Sequence, residues 1–287
     1  AKLKALHALH ASAASPHGGC DFEAAALVVA LRYRALGGSG FQLALPSSAF
    51  EVLSREFQVC AECFASPLNC FFGRYCSAFP DCDAPFGSLG SFFDFKPECG
   101  AFEVNPPFAP AVLAKARAHM HALLASAAGP LSFLVALANW DHEEVRALRA
   151  SPYARASLVV AQDEQKWLDG SAARRAPVEL LVLALQNGAA AADPRYEASA
   201  AKLELLRQSC TGEAAALGPR RKRPSQEPPP AHGPRPPLVA AFPAATAAAQ
   251  GGGAGEAPPS CRASRPKSDR RPLSSRRLLL SRCHRHR

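Results

Sequence analysis

The chain has 287 residues, of which 48% are hydrophobic and 20% charged, with 26 prolines, 10 cysteines and a formal net charge of +9. That length allows one large or two small domains. No apolar run reaches the roughly 18 residues needed to span a membrane, and Ala1 to Ala14 lacks the continuous apolar core of a secretory signal.

Charge and composition divide the chain. Residues 218–287 carry 15 Lys and Arg against 3 Asp and Glu, and 13 of the 26 prolines, together with the Gly251-Gly252-Gly253 run. Such a segment buries too little apolar surface to offset its ordering entropy. The expected organisation is a flexible N-terminus over 1–17, a folded domain over 18–212 and a disordered, Pro- and Arg-rich basic tail over 213–287. The body without the tail is slightly acidic, which excludes a domain that coats nucleic acid with a basic surface. RNA binding by the body would need a local groove. The tail is either a solvated extension or an arm that adds salt-sensitive affinity for phosphates. Arg220-Arg221-Lys222-Arg223-Pro224 also reads as a nuclear-import run, so the expected location is the nucleus.

In chain order, residues 21–36 have helical spacing, with Leu27 and Leu31 on the apolar side, and Gly37-Gly38-Ser39-Gly40 stops that helix. A second helix is predicted over 47–57 after Pro46, capped by Ser47 or Ser48. Val59 to Ala65 reads as a strand and Ser66-Pro67-Leu68-Asn69 as the turn leaving it. Phe92 to Phe95 is a short apolar run, and Ala101 to Val104 a strand. Ala109 to Ala128 is a long amphipathic helix with Val112, Ala116, Met120 and Leu123 on one face. Leu131 to Ala138 is a near-continuous apolar strand, as expected for one covered on both faces. A helix over 143–150, a strand over 156–161 and a last strand over 178–186 complete the set. The fold class is α/β, a Rossmann-like sheet with flanking helices, and no GxGxxG fingerprint follows a strand.

Asn105-Pro106-Pro107-Phe108 follows the 101–104 strand and is the most informative tetrapeptide. The amino nitrogen of adenine is a poor nucleophile because its lone pair is delocalised into the ring. An Asn side-chain oxygen and the carbonyl of the next Pro can accept its two N–H bonds and hold the pair out of conjugation. Two prolines fix φ and remove competing donors, and the aromatic ring stacks on the base. Taken alone, the tetrapeptide is also an ordinary turn at a strand end.

The surroundings decide between these. Glu-Cys-Phe-Ala-Ser-Pro-Leu-Asn-Cys at 62–70, Tyr75 to Asp81, Gly87-Ser88, Phe93-Asp94-Phe95 and Asn105 to Phe108 together resemble one family. This is the phosphorylated-CTD-interacting factor family, cap-specific adenosine-N6-methyltransferases, and the similarity runs from about residue 30 to 187. The resemblance implies a class I methyltransferase sheet whose final strand is antiparallel. It implies S-adenosyl-L-methionine as cofactor, capped mRNA as partner, and methylation at N6 of the cap-adjacent (2′-O-methyl)adenosine. Asn105, Pro106, Pro107 and Phe108 would be catalytic, and Phe64, Ala65, Ser66, Pro67 and Asn69 would hold the donor. The donor's ribose hydroxyls or amino group need carboxylate or carbonyl acceptors, and among Asp81, Asp83 and Asp94 the last leads because alternation with Phe93 and Phe95 places it beside a buried run. Glu103, Trp140 and Phe108 would meet the substrate. The phosphorylated RNA polymerase II C-terminal domain is a second partner implied by the family, although no WW-like pair of tryptophans is legible. The alternative is a catalytically inactive relative that acts as an RNA- or polymerase-associated binding protein.

Seven of the cysteines lie between Cys20 and Cys99, with Cys60-x-x-Cys63 the only CxxC. Paired knuckles or nearby ligating histidines are lacking, and His119 and His121, two apart on a helix, point to different faces. No metal site is expected, and the cysteines read as reduced core residues.

Overall fold

The computed structural model describes residues 2–13, 21–36, 42–169, 172–175 and 178–211, all within one unit, Ala1–Arg235. The expected basic tail and the Gly37–Gly40 stop lie outside the described residues.

Two helices come first, α1 (Lys2–Ser12) and α2 (Phe22–Ala35). A flexible segment was expected over 1–17, but α1 forms because Leu6 is buried against Val29 of α2 and Phe86. The apolar face of α2 also differs from expectation. Ala25 and Val29 face inward, while Leu27, Val28 and Leu31 are exposed. Two polar contacts fix that rotation: Tyr33 Oη donates to Asp83 Oδ2 at 2.6 Å, and Arg32 pairs with Asp81 at 2.8 Å.

After the short strand β1 (Leu43–Ala44) come α3 (Ser47–Phe57) and β2 (Val59–Ala65). Neither Ser47 nor Ser48 caps α3, since Pro46 occupies the N-cap position. The Ser48 hydroxyl instead donates to the Ser209 carbonyl at 2.7 Å, tying α3 to the last helix. Strand β3 (Tyr75–Ser77), α4 (Pro80–Asp83) and two 3₁₀ turns, Ala84–Phe86 and Phe92–Asp94, lead to β4 (Gly100–Val104). Helix α5 (Pro110–Ser126) buries Leu113, Ala116, Met120, Leu123 and Leu124, so Leu113 takes the place expected for Val112. Next are β5 (Leu131–Ala138), α6 (Glu143–Arg149), β6 (Ala154–Val160), β7 (Lys166–Asp169) and β8 (Ala172–Arg175). The described residues end with β9 (Leu180–Gln186), α7 (Gly188–Ala191), a 3₁₀ turn at Pro194–Tyr196 and α8 (Ala200–Thr211).

Six strands form the main sheet in the order β3-β2-β4-β5-β9-β6. The first four pair in parallel. β9 is antiparallel to both β5 and β6 and lies between them. β5 and β9 are buried at every position, as expected for strands covered on both faces. One face packs on α3 and α8 through Phe50, Leu53, Phe57, Leu134, Leu206 and Cys210. The other packs on α5 and α6 through Phe102, Leu113, Met120, Phe133 and Leu148. β1, β7 and β8 make a separate antiparallel sheet that sequence periodicity did not show.

The parallel strands deliver their following loops to one edge, where open α/β sheets bind ligands. The turn after β2 and the Asn-Pro-Pro-Phe turn after β4 therefore meet there, joined by the residues that follow β5.

Candidate active site at the carboxyl edge of the sheet

Asn105 leaves β4 half-buried, followed by buried Pro106 and half-buried Pro107 and Phe108. Among the described residues the Asn105 carboxamide makes no hydrogen bond, so its oxygen and both N–H groups are free for a ligand. The Ala109 N–H donates to the Pro107 carbonyl at 2.7 Å. That tight turn directs Phe108 away from the strand axis and toward β5.

Phe108 there meets Trp140 edge to face, with centroids 5.7 Å apart and planes at 86°. Trp140 remains 36% exposed, enough open ring surface for a base to stack on. Its loop is fixed by the preceding residue: Asn139 Nδ2 donates to Glu179 Oε2 at 2.9 Å, and the Arg149 guanidinium donates to Asn139 Oδ1 at 2.6 Å.

The turn after β2 is closed upon itself. The Ser66 N–H and hydroxyl both donate to Asn69 Oδ1, at 2.8 and 3.0 Å. Both Gln42 Oε1 and the Leu68 N–H bond the Ser66 hydroxyl, at 2.6 and 3.1 Å. Ser66 is 2% exposed and Pro67 and Ala65 are buried. The Ser66 hydroxyl and Asn69 oxygen thus set the shape of the loop. Beside the turn, Phe64 is half-buried against the core, its ring centroid 5.0 Å from that of Phe92 and 5.9 Å from that of Phe93.

The acids divide sharply. Asp94 is exposed on a 3₁₀ turn, not alternating along a strand, because the Ser91 side chain caps that turn by accepting from the Phe93 N–H. Asp81 is spent on Arg32. Asp83 is fully buried against Tyr33, and desolvation raises its pKa against the pull of its hydrogen bonds. Glu103 is buried at 1% exposure, and its Oε1 has no partner among the described residues.

Glu62 went unnoticed in the sequence, although a lone acid within Val-Cys-Ala-Glu-Cys-Phe-Ala was a usable signal. It lies beside Glu103 in the β2–β4 register. Its Oε2 accepts from the Phe71 and Phe72 N–H groups at 2.8 and 3.0 Å, which ties the loop beyond the Ser66–Asn69 turn to the sheet. Burial raises both carboxyl groups well above the usual carboxylate range, and Glu62 adds repulsion at Glu103.

The cysteines of this region are free thiols; burial pushes Cys76 up to about 12. His119 bonds the Phe95 carbonyl and His121 the Ser151 hydroxyl, so the two rings do have different partners. Among the described residues, no group of three or more His, Cys, Asp or Glu could hold a metal, and no helix is long and apolar enough to cross a membrane.

The profile of the family described as "Phosphorylated CTD interacting factor 1 WW domain" matches residues 2–170. The chain belongs to this family. Within the match lie α1 through β7, including both the turn after β2 and the Asn-Pro-Pro-Phe turn. The phosphorylated CTD interacting factor match thus covers the two N-terminal helices and five of the six strands of the main sheet, with β9 beyond its end. Among curated proteins, the mRNA (2′-O-methyladenosine-N(6)-)-methyltransferase of Mus musculus is 46% identical over 137 residues, 47% of this chain and 19% of that protein. The Homo sapiens enzyme of the same name is 44% identical over 137 residues, 47% of this chain and 20% of its own length. The chain spans about a fifth of the length of these relatives.

Proposed function

We propose that this chain carries a methyltransferase domain that transfers a methyl group to N6 of adenine in RNA, with the cap-adjacent (2′-O-methyl)adenosine of mRNA as acceptor. The observation that carries the reading is the half-buried Asn105 at the carboxyl end of β4, its carboxamide unspent and the Phe108–Trp140 pair beside it. Support comes also from the two mammalian relatives, whose names state that reaction. The sheet order, with antiparallel β9 between two strands of the other direction, is that expected of a class I methyltransferase.

Asn105 Oδ1 and the Pro106 carbonyl accept the two N6 hydrogens and orient the nitrogen lone pair out of the ring plane. Phe108 and Trp140 hold the base by stacking. A cap-adjacent nucleotide is already single-stranded, so it reaches this cleft without disruption of a duplex. S-adenosyl-L-methionine supplies the electrophilic methyl group. The buried, unpartnered Glu103 Oε1 fits the ammonium of such a donor's zwitterionic amino-acid end, and the Phe64 ring and the loop to Asn69 provide apolar and backbone surface near it. Catalysis would rest on orientation and preorganised acceptors.

The same reading takes a phosphorylated polymerase tail as a second partner, supported by the description of the matched family, and the nucleus as location, for which the basic run Arg220–Arg223 is the support. The deciding experiment is label transfer from S-adenosylmethionine to capped RNA beginning with adenosine, beside uncapped RNA, an adenine-containing DNA oligonucleotide and the Asn105→Ala protein. Cap-dependent labelling lost in the variant is the expected result. No labelling of any acceptor, with no donor binding by calorimetry, would favour the noncatalytic binding protein, in which the self-closed Ser66–Asn69 loop is purely structural.

A further inference from the structure

β2 and β4 bring two carboxyl groups to one level of the sheet. Glu62 and Glu103 are register partners on neighbouring parallel strands, so they project to the same face with backbones roughly 5 Å apart. They are 3% and 1% exposed. Asn105 lies two residues beyond Glu103 and on the same side. The pair therefore sits directly beneath the proposed methyl-transfer site.

The two acids are unequally bonded. Glu62 Oε2 accepts two backbone N–H bonds, whereas Glu103 Oε1 accepts none among the described residues. The titratable groups bearing on the pair are Cys63, Cys70 and Tyr75, which are neutral when protonated. Neither carboxyl group is under the influence of a described lysine or arginine. On the covering helices, Arg55 is paired with Glu56 and Arg207 with Glu204 at the protein surface, Glu51 is exposed, and Lys202 is half-buried at the start of α8.

Two neighbouring carboxylates in a dry site without a countercharge do not both stay ionised. One proton remains on the pair until another positive charge replaces it. The proposed donor brings such a charge: its amino-acid ammonium carries three N–H donors, and Glu103 Oε1 is a buried acceptor lacking one. Building on the proposed function, we propose that the Glu62–Glu103 pair holds a proton in the ligand-free site and releases it when the donor's ammonium group binds. The carboxylic acid O–H ionises, its proton leaves to solvent, and the resulting carboxylate accepts from the ammonium, so at the acid pair the ammonium's positive charge replaces that of the lost proton. Glu62 is a positioning residue here: it keeps Glu103 protonated in the empty site and anchors the Phe71–Phe72 backbone.

The test is calorimetric titration of the full chain with S-adenosylmethionine and with S-adenosylhomocysteine, which keeps the ammonium but lacks the sulfonium. Phosphate and Tris buffers, whose ionisation heats differ, are compared between about pH 6 and about pH 8.5. Both ligands should show release of up to about one proton and bind more tightly as pH rises. Glu103→Gln should abolish the release and weaken binding by roughly tenfold or more. Glu62→Gln keeps an oxygen for the Phe71 and Phe72 amides; it should retain binding and move the proton release to lower pH, because Glu103 loses its repulsive neighbour while burial still favours its protonated form. Equal heats in both buffers for the wild-type protein, or a Glu103→Gln protein with unchanged affinity and release, would overturn the inference while leaving the methyltransferase reading intact. Absence of donor binding at every pH would overturn that reading and the inference with it. Should a variant fail to fold by circular dichroism, the wild-type buffer comparison still decides.

Discussion

Phe108 and Trp140 meet edge to face across the ends of β4 and β5, with ring centroids 5.7 Å apart. The contact joins the Asn-Pro-Pro-Phe turn to the loop that Asn139 fixes between Arg149 and Glu179. One aromatic face at each strand end is thereby set beside the Asn105 carboxamide.

Trp140→Ala should weaken RNA binding by about 1–3 kcal/mol, the usual worth of one base stacked on an aromatic ring. Donor affinity should not change, since the proposed function gives Trp140 the acceptor base and not the donor. Anisotropy of a labelled capped RNA, read beside donor calorimetry, separates the two. Unchanged RNA affinity would remove Trp140 from the substrate site.

Tyr33→Phe should lower stability by about 1–3 kcal/mol, because it deletes the donor to a fully buried carboxylate. Urea unfolding measures this directly. Arg32→Ala, which breaks a pair whose partners are 45% and 65% exposed, should change stability by at most about 1 kcal/mol.

Stability should also depend on pH through Glu62 and Glu103. Burial raises both folded-state pKa values above the unfolded value of about 4.3. The protonated forms are thus favoured by folding, and the contribution is complete below about pH 4 and lost as pH rises through the raised values. Relative to the Glu62→Gln/Glu103→Gln protein, the wild type should lose stability between about pH 5 and about pH 8. Parallel urea midpoints for the two proteins would show no such divergence if the pair were ionised throughout.

Gly87→Ala should destabilise the segment between β3 and the site. Gly87 has φ +93°, and an added Cβ would stand 2.8 Å from the Gly73 carbonyl oxygen. Strain of that kind costs about 1–3 kcal/mol. A thermal midpoint equal to wild type would show that the 73–74 backbone can yield.

The sequence by itself determined the elements whose signals are local. β5 was legible as an unbroken apolar run, α5 through its spacing, and Asn105 to Phe108 through its residue types at the end of a strand. Local patterns reach only as far as their own periodicity, however. Which side of α2 turns inward was decided by Tyr33 and Arg32 reaching Asp83 and Asp81, about fifty residues away, against the apolarity of Leu27 and Leu31. Ser48 became a tether to Ser209 and not a cap for the same reason. β3 and the separate β1-β7-β8 sheet depend on partners that no single segment reveals. At the site, Asp94 looked like a ligand by alternation and proved exposed, while Glu62 and Glu103 became a buried acid pair only through the β2–β4 register. Strand pairing brings together residues forty-one positions apart, and in a low-dielectric interior that proximity, rather than either residue's type, sets their charge.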